Sequence, residues 1–361
     1  MTTGTTDRAA VLGRTIPLDN QGRSRRCFLR RLLGLALSLP GAAFLGGCGF
    51  SPLAEPGPAK VPRIGYLDVG SKDASADELA AFLDQLRGLG YGVPDLIERY
   101  ADGDEHQLPT LAADLLGQAP EVIVAFGTAA IRAAKDETAT IPIVMAASSD
   151  PAGPDVQLVN SLARPGANVT GLTSIAPQLV GKRLQLLKQA FPEVKQVAYL
   201  LDPNNPGDKE EERRIVAVHQ QLSVEALHRI EVTPSVQLQP NLAQAVANGA
   251  QALVTFASGA INRNPAPILQ FAAQHRLPAM YAQADFVALP GGVMAYGPDY
   301  LDMYRRAAVF VDKILKGRPP AELPVEKPRR FVLRVNRKAV QEQGFILPRS
   351  FLAQIDEVVE S

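Results

Sequence analysis

The chain has 361 residues, with 37 Lys and Arg set against 37 Asp and Glu and 46% apolar residues. Charge balanced this evenly offers no footprint for a polyanion, which argues against a nucleic-acid partner. Its two cysteines, Cys27 and Cys48, both lie near the start, so the rest of the chain has no thiol for a disulfide, a zinc site or a redox pair.

Taken from the N-terminus, Ser24-Arg25-Arg26-Cys27-Phe28-Leu29-Arg30 leads into a short apolar stretch, Leu32 to Leu45, that ends in Gly46-Gly47-Cys48. A basic flank, a limited apolar segment and small residues before a cleavage point are the marks of an export signal. The paired Arg25 and Arg26 resemble the twin-arginine export motif. Leu-Gly-Gly-Cys resembles a lipobox, in which the Cys48 thiol takes a diacylglycerol and becomes the mature N-terminus. An uncleaved membrane helix is the alternative, but Pro40 interrupts the run and about 18 apolar residues are needed to span a bilayer. Residues 1–47 are therefore expected to be a lipoprotein signal peptide and 48–62, rich in Pro and Gly, a tether. The folded part is expected in the periplasm or at the cell surface, held to a membrane by lipid on Cys48. Two acyl chains, at about 0.8 kcal/mol per buried methylene, suffice for that. Reactions that need ATP are disfavoured in that space.

From Val61 onward short apolar runs alternate with amphipathic segments. Strands are expected at Arg63–Leu67, Glu121–Phe126, Ile141–Ala146 and Val169–Thr173, then at Gln196–Leu201, His228–Val232, Ala252–Phe256, Pro278–Ala282 and Gly292–Tyr296. Helical stripes lie between them. Leu79, Phe82, Leu83 and Leu86 form one that ends at Gly90; Tyr304, Ala307, Ala308, Val311, Ile314 and Leu315 form another, stopped by Gly317 and Pro319-Pro320. Such alternation implies an α/β fold with parallel sheets covered on both faces.

The two halves also resemble each other. Residues 121–131 align with 251–261, Ile141–Ala146 with Leu277–Ala282, and Arg63–Leu67 with Gln196–Leu200, in the same order. Three ordered matches favour two lobes of one topology. Lobe 1 is expected at 63–173 and 293–318, and lobe 2 at 174–292 and 325–361.

Ligands of open parallel sheets sit beyond the carboxyl ends of the strands, where helix N-termini favour anions. Gly127 and Thr128, Ser148 and Asp150, Asn204, Ser258 and Asp285 all follow expected strands, and Tyr281 lies within one. Each alone is an ordinary cap or turn residue; as a set they offer hydroxyl, amide and carboxylate groups from both halves. Tyr281 and Tyr296 suit either an apolar part of a ligand or the core.

Phe126-Gly-Thr-Ala-Ala130, Ser161-Leu-Ala-Arg-Pro-Gly-Ala-Asn-Val-Thr-Gly171, Gly181-Lys-Arg-Leu-Gln-Leu-Leu-Lys188 and Gly291-Gly-Val-Met-Ala-Tyr-Gly-Pro298 resemble the ABC transporter substrate-binding family related to tryptophan- and tyrosine-type binding proteins. The resemblance covers nearly all of the mature chain. It implies a type 1 periplasmic-binding-protein fold, with two Rossmann-like α/β lobes joined by a three-strand hinge. It also implies a ligand buried between the lobes and an ABC permease as partner. The paired polar groups fit a small polar, amino-acid-like metabolite best, with sugars, nucleosides and aromatic acids still open, and a monomer is expected. Where members often carry Gly-Thr-Pro this chain has Gly127-Thr128-Ala129. The segment Asp68–Asp73 lacks the aromatic or His of tryptophan-type relatives, which puts an aromatic ligand in doubt.

The residues offer little to an enzyme. His106, His219, His228 and His275 are scattered beside no nucleophile, and no P-loop, His-Glu-x-x-His or Gly-x-Ser-x-Gly occurs. No metal or cofactor is implied. A lipid-anchored sensor that presents its bound form to a signalling receptor is the alternative to transport. Glu210–Arg214 reads as a solvated helix face, and Arg329-Arg330 as a charged guard on a sheet edge.

Overall fold

A computed structural model of the chain describes residues 61–233, 238–262 and 265–360. Arg25, Arg26 and Cys48, with the signal and nearly all of the tether, lie outside the described residues. The first half runs β1 (Arg63–Asp68), α1 (Ala76–Gly88), β2 (Asp95–Tyr100), α2 (Leu108–Gly117), β3 (Val122–Phe126), α3 (Thr128–Glu137), β4 (Ile143–Ser148) and β5 (Val169–Thr173). There follow α4 (Ala176–Ala190), β6 (Gln196–Leu201), α5 (Pro206–Val218), β7 (Ala226–Glu231), α6 (Leu238–Ala247), β8 (Ala252–Thr255), α7 (Gly259–Asn262), α8 (Pro265–Gln274) and β9 (Ala279–Tyr281). The chain ends with β10 (Met294–Pro298), α9 (Tyr300–Leu315), β11 (Phe331–Asn336), α10 (Arg337–Glu342), α11 (Arg349–Leu352) and β12 (Glu357–Val359).

The first sheet is wholly parallel, in the order β2-β1-β3-β4-β5. β3 and β4 are near-continuous apolar runs, as expected of strands buried on both faces. One core lies between the sheet and α1 and α9, where Phe82, Leu86, Tyr304 and Val311 meet. The other lies beneath α2 and α3, around Leu115, Ile131 and Met145. The second sheet runs β12-β11-β10-β9-β8-β6-β7, and its only antiparallel pair among the described strands is β10 with β11. Its stretch β7-β6-β8-β9-β10 repeats the strand order of the first sheet, as the paired sequence matches suggest.

One boundary differs from the sequence-based expectation. Residues 293–318 do not all rejoin the first lobe: β10 stays in the second sheet, with Met294 opposite Met280 and Ala295 opposite Tyr281. Only α9 returns, packed on α1 and β4. Two further readings are corrected. Arg329 and Arg330 precede β11, which has β12 outside it, and they pair with Glu326, Asp299 and Glu357 instead of guarding an edge. Glu211, within the charged run on α5, is fully buried.

The chain passes between the sheets three times: after β5, between β10 and α9, and between α9 and β11. The third passage is laced to the first. Thr173 N–H donates to the Glu326 carbonyl (3.0 Å), Glu326 N–H to that of Gly171 (2.9 Å), and Thr170 Oγ1 to that of Leu323 (2.6 Å). Arg306 of α9 holds Glu326 from above, at 3.2 Å through Nε.

The second lobe buries a charge cluster near these passages. Arg183 of α4, 1% exposed, donates through Nε to the Tyr296 carbonyl (2.9 Å) and through a terminal guanidinium nitrogen to Glu211 (3.0 Å). Asp208 lies one turn before Glu211, and burial together with the Glu211 charge pushes its carboxyl well up. Removing the cation strands the buried Glu211 carboxylate, so Arg183→Met is expected to destabilise the fold by about 3–5 kcal/mol. Chemical denaturation checks this; a midpoint equal to that of the parent chain would show that the cation contributes nothing.

Candidate functional site

The carboxyl ends of both sheets face one another, and the loops that leave them enclose a cleft with two chambers. The outer chamber is a cavity of about 340 Å³ lined by Ser75, Glu78 and Phe126 of the first lobe, Asp285 and Phe286 of the second, and Tyr300 and Tyr304 of α9. The inner one, about 30 Å³, is lined by Gly127, Thr128 and Ser149 on one side and Asn205, Ser258 and Gly259 on the other. Phe126, Asn262, Gln283 and Tyr300 border both and form the neck between them.

The outer wall is built on Asp68, the last residue of β1. Its fully buried carboxylate accepts from Tyr66 Oη (2.5 Å), Ser75 Oγ (2.7 Å) and Gly70 N–H (2.6 Å). Burial pushes this carboxyl up, and the three donors oppose the shift. Asp68 thus folds the β1–α1 loop over the cavity, while Tyr66 and Tyr304 share a hydroxyl contact at 2.9 Å that ties α9 to the same point. Glu78 is half-buried; burial first and the Asp285 charge second push its carboxyl up to about 7. Asp285 lines the same cavity, and desolvation of its carboxyl there raises it against the opposing pull of Arg334. Arg334 itself is paired with Glu357 at 2.6 Å.

The inner chamber begins at Gly127, whose φ of +90° and close approach to Val69, 2.6 Å from where a Cβ would stand, restrict the position to glycine. Thr128 opens α3; its Oγ1 contacts Ser148 Oγ at 3.3 Å and accepts from Ser149 N–H at 3.1 Å. The Ser149 hydroxyl is buried and has no hydrogen-bond partner, and neither does Asn262 Oδ1 at the neck. The Ser149 hydroxyl and the start of a ten-residue helix together provide for an anionic group.

Of the residues expected from sequence, Gly127, Thr128 and Ser258 line the inner chamber and Asp285 the outer one. The other four line neither. Ser148 is spent on Thr128, and the register irregularity at the end of β4 turns Ser149 to the cleft in its place. Asn204 bonds through its backbone to Asp202 (2.9 Å), and its neighbour Asn205 caps α5 and reaches Glu105 of the opposite lobe at 3.2 Å. Asp150 closes a turn on Gly153, and Tyr281 is fully buried against Phe286 in the core of the second lobe. Glu78, Asn262, Gln283 and Tyr300 were not expected. They come from helix ends and loops whose sequence reads as ordinary capping and turn chemistry. Among the described residues, no group of His, Cys, Asp and Glu is placed to hold a metal ion.

The raised Glu78 carboxyl has a measurable consequence. Its ordinary value is 4.5 and its folded value is about 7, so the fold holds an extra proton between them and loses stability as pH rises through that window. Glu78→Gln removes the penalty. The variant is expected to gain on the order of 1 kcal/mol over the parent at pH 8 and to match it at pH 4; an equal difference in Tm at both values would contradict this.

Comparison with known proteins places the chain. The model of a family described as ABC transporter substrate binding protein matches residues 64–359. A tyrosine-binding protein of Clostridioides difficile is 23% identical over 248 residues, which are 68% of this chain and 70% of that one. A conserved domain protein of Vibrio cholerae superposes with a TM-score of 0.76 at 24% identity, over 83% of this chain and 100% of that one. A Streptococcus pneumoniae ABC domain in complex with L-Trp does so at 0.75 and 22%, over 82% and 100%. The two-lobed architecture is the type 1 periplasmic-binding-protein fold, and the family binds solutes and does not transform them. With the match spanning nearly all of the described residues, this chain belongs to the ABC transporter substrate-binding proteins.

Proposed function

We propose that this chain is the extracytoplasmic solute-binding component of an ABC importer, anchored by lipid on Cys48, and that it captures a small amino-acid-like metabolite by closing its lobes. The observation that carries the reading is the meeting of unspent polar groups around one cleft: the Ser149 hydroxyl from the first lobe, and Asn262 Oδ1 from the second. Buried polar atoms without partners are costly unless a ligand supplies the missing bonds. The relatives named for tyrosine and solved with L-Trp support an amino acid as the ligand class.

The lobes touch at points built for close approach. Asn205 reaches Glu105, Arg213 pairs with Asp155, and Gly259 lies against Val69 so closely that a Cβ would stand 2.6 Å from a Val69 methyl. The exposed ion pair contributes at most about 1 kcal/mol. A ligand that touches both sides is what shifts the population toward the closed form, and the permease reads that form. A saturating ligand at a hundredfold excess over its Kd adds about 2.7 kcal/mol of stability.

Two outcomes are expected. Gly259→Leu wedges the jaws apart, weakening amino-acid binding at least tenfold in calorimetry while Tm without ligand stays close to that of the parent; undiminished affinity would count against closure as the means of capture. Cys48→Ser is expected to shift the protein from the membrane fraction to the soluble fraction on cell fractionation, and an unchanged distribution would exclude the lipid anchor.

A further inference from the structure

We infer that the solute is a basic amino acid, with its carboxylate in the inner chamber and a side-chain ammonium or guanidinium between Glu78 and Asp285 in the outer one. The inference rests on the proposed reading of this cleft as the solute site and names the class of solute it takes.

The two chambers differ in chemistry. Thr128, Ser149 and Ser258 border only the inner one, where the start of α3 and the unpartnered Ser149 hydroxyl, 8% exposed, suit an anion. Glu105 also borders this chamber, but its carboxylate is engaged by Asn205 Nδ2 at 3.2 Å. Glu78, Asp285 and Asp102 border the outer chamber and not the inner one. No Lys or Arg is among the described residues that line the outer chamber. Arg334 lines an adjoining surface recess together with Glu78 and Asp285 and pulls on the Asp285 charge, but its guanidinium is paired with Glu357 at 2.6 Å. Asp68 is saturated by its three donors, which leaves Glu78, Asp285 and the exposed Asp102 for a ligand; Glu78 and Asp285 are the two whose charges bear on each other.

These two carboxylates come from opposite lobes. Closing the cleft brings like charges together, which opposes closure unless a cation lies between them. The α-ammonium of an ordinary amino acid cannot play that part, because a single carbon separates it from the carboxylate held in the other chamber. Its own partner is the unsatisfied Asn262 Oδ1 at the neck. A second cation at the end of an aliphatic chain does span the distance, passing the rings of Phe126 and Tyr300, whose faces favour a positive charge. The orphaned hydroxyl, the orphaned amide oxygen and the paired carboxylates then match the three polar groups of one molecule.

Calorimetry of the full chain in detergent with L-lysine, L-arginine, L-norleucine and L-tyrosine tests this. Norleucine keeps an aliphatic chain of lysine's length without the terminal ammonium. Lysine or arginine is expected to bind at least tenfold more tightly than norleucine, and Glu78→Gln and Asp285→Asn are each expected to erase most of that margin. If norleucine or tyrosine binds as tightly as the basic pair, the inference is overturned while the cleft remains an amino-acid site. A basic preference untouched by either substitution overturns the assignment to Glu78 and Asp285. If none of the four binds, the amino-acid reading itself falls.

Discussion

Parallel pairing sends the carboxyl end of every strand to the same edge of its sheet, and in this molecule two such edges face each other. The rest of the architecture serves that juxtaposition. Loops that would otherwise be solvent-exposed connections become walls: the turn after β1 is folded down by the buried Asp68 carboxylate, and the turn after β3 runs straight into α3 through Gly127. Because the second sheet repeats the strand order of the first, equivalent loops arrive from the other side, and the start of α7 meets the first lobe at Val69.

What ties the two edges together is the bundle of passages between the lobes. There are three, and the third is hydrogen-bonded along β5. Placing α9 on the first lobe directly after β10 of the second sets Tyr300 at the crossing itself, bordering both chambers. The buried Arg183 and Glu211 pair lies beside the same crossing through the Tyr296 carbonyl. Its net contribution to stability is small once desolvation is counted; it links α4, α5 and β10 to one another beside that crossing.

Much of the fold is legible in the amino-acid order because it rests on local patterning. The runs that became β3, β4, β6 and β8 are near-continuously apolar, and the stripe that became α9 has helical spacing, so burial on both faces or on one face could be read directly. The strands that escaped notice had no such pattern. β2 carries Glu98 and Arg99 on a half-exposed edge, β11 contains Arg334, and β12 has three residues. Each is defined by its partner strand and not by its own composition.

The site divides in the same way. Residue type and position after a strand were enough to single out Gly127, Thr128, Ser258 and Asp285, since the ends of parallel strands are where such groups become available. Which of two adjacent residues faces the cleft was not decided locally: a register irregularity presents Ser149 in place of Ser148, and the cap of α5 presents Asn205 in place of Asn204. The amino-acid order alone determined the doubled α/β pattern and the strand ends. Only the tertiary structure decided that Glu78 and Asp285, 207 residues apart in the chain, share one cavity. Proximity across a hinge depends on how two sheets are hung from three crossings, and no run of neighbouring residues carries that information.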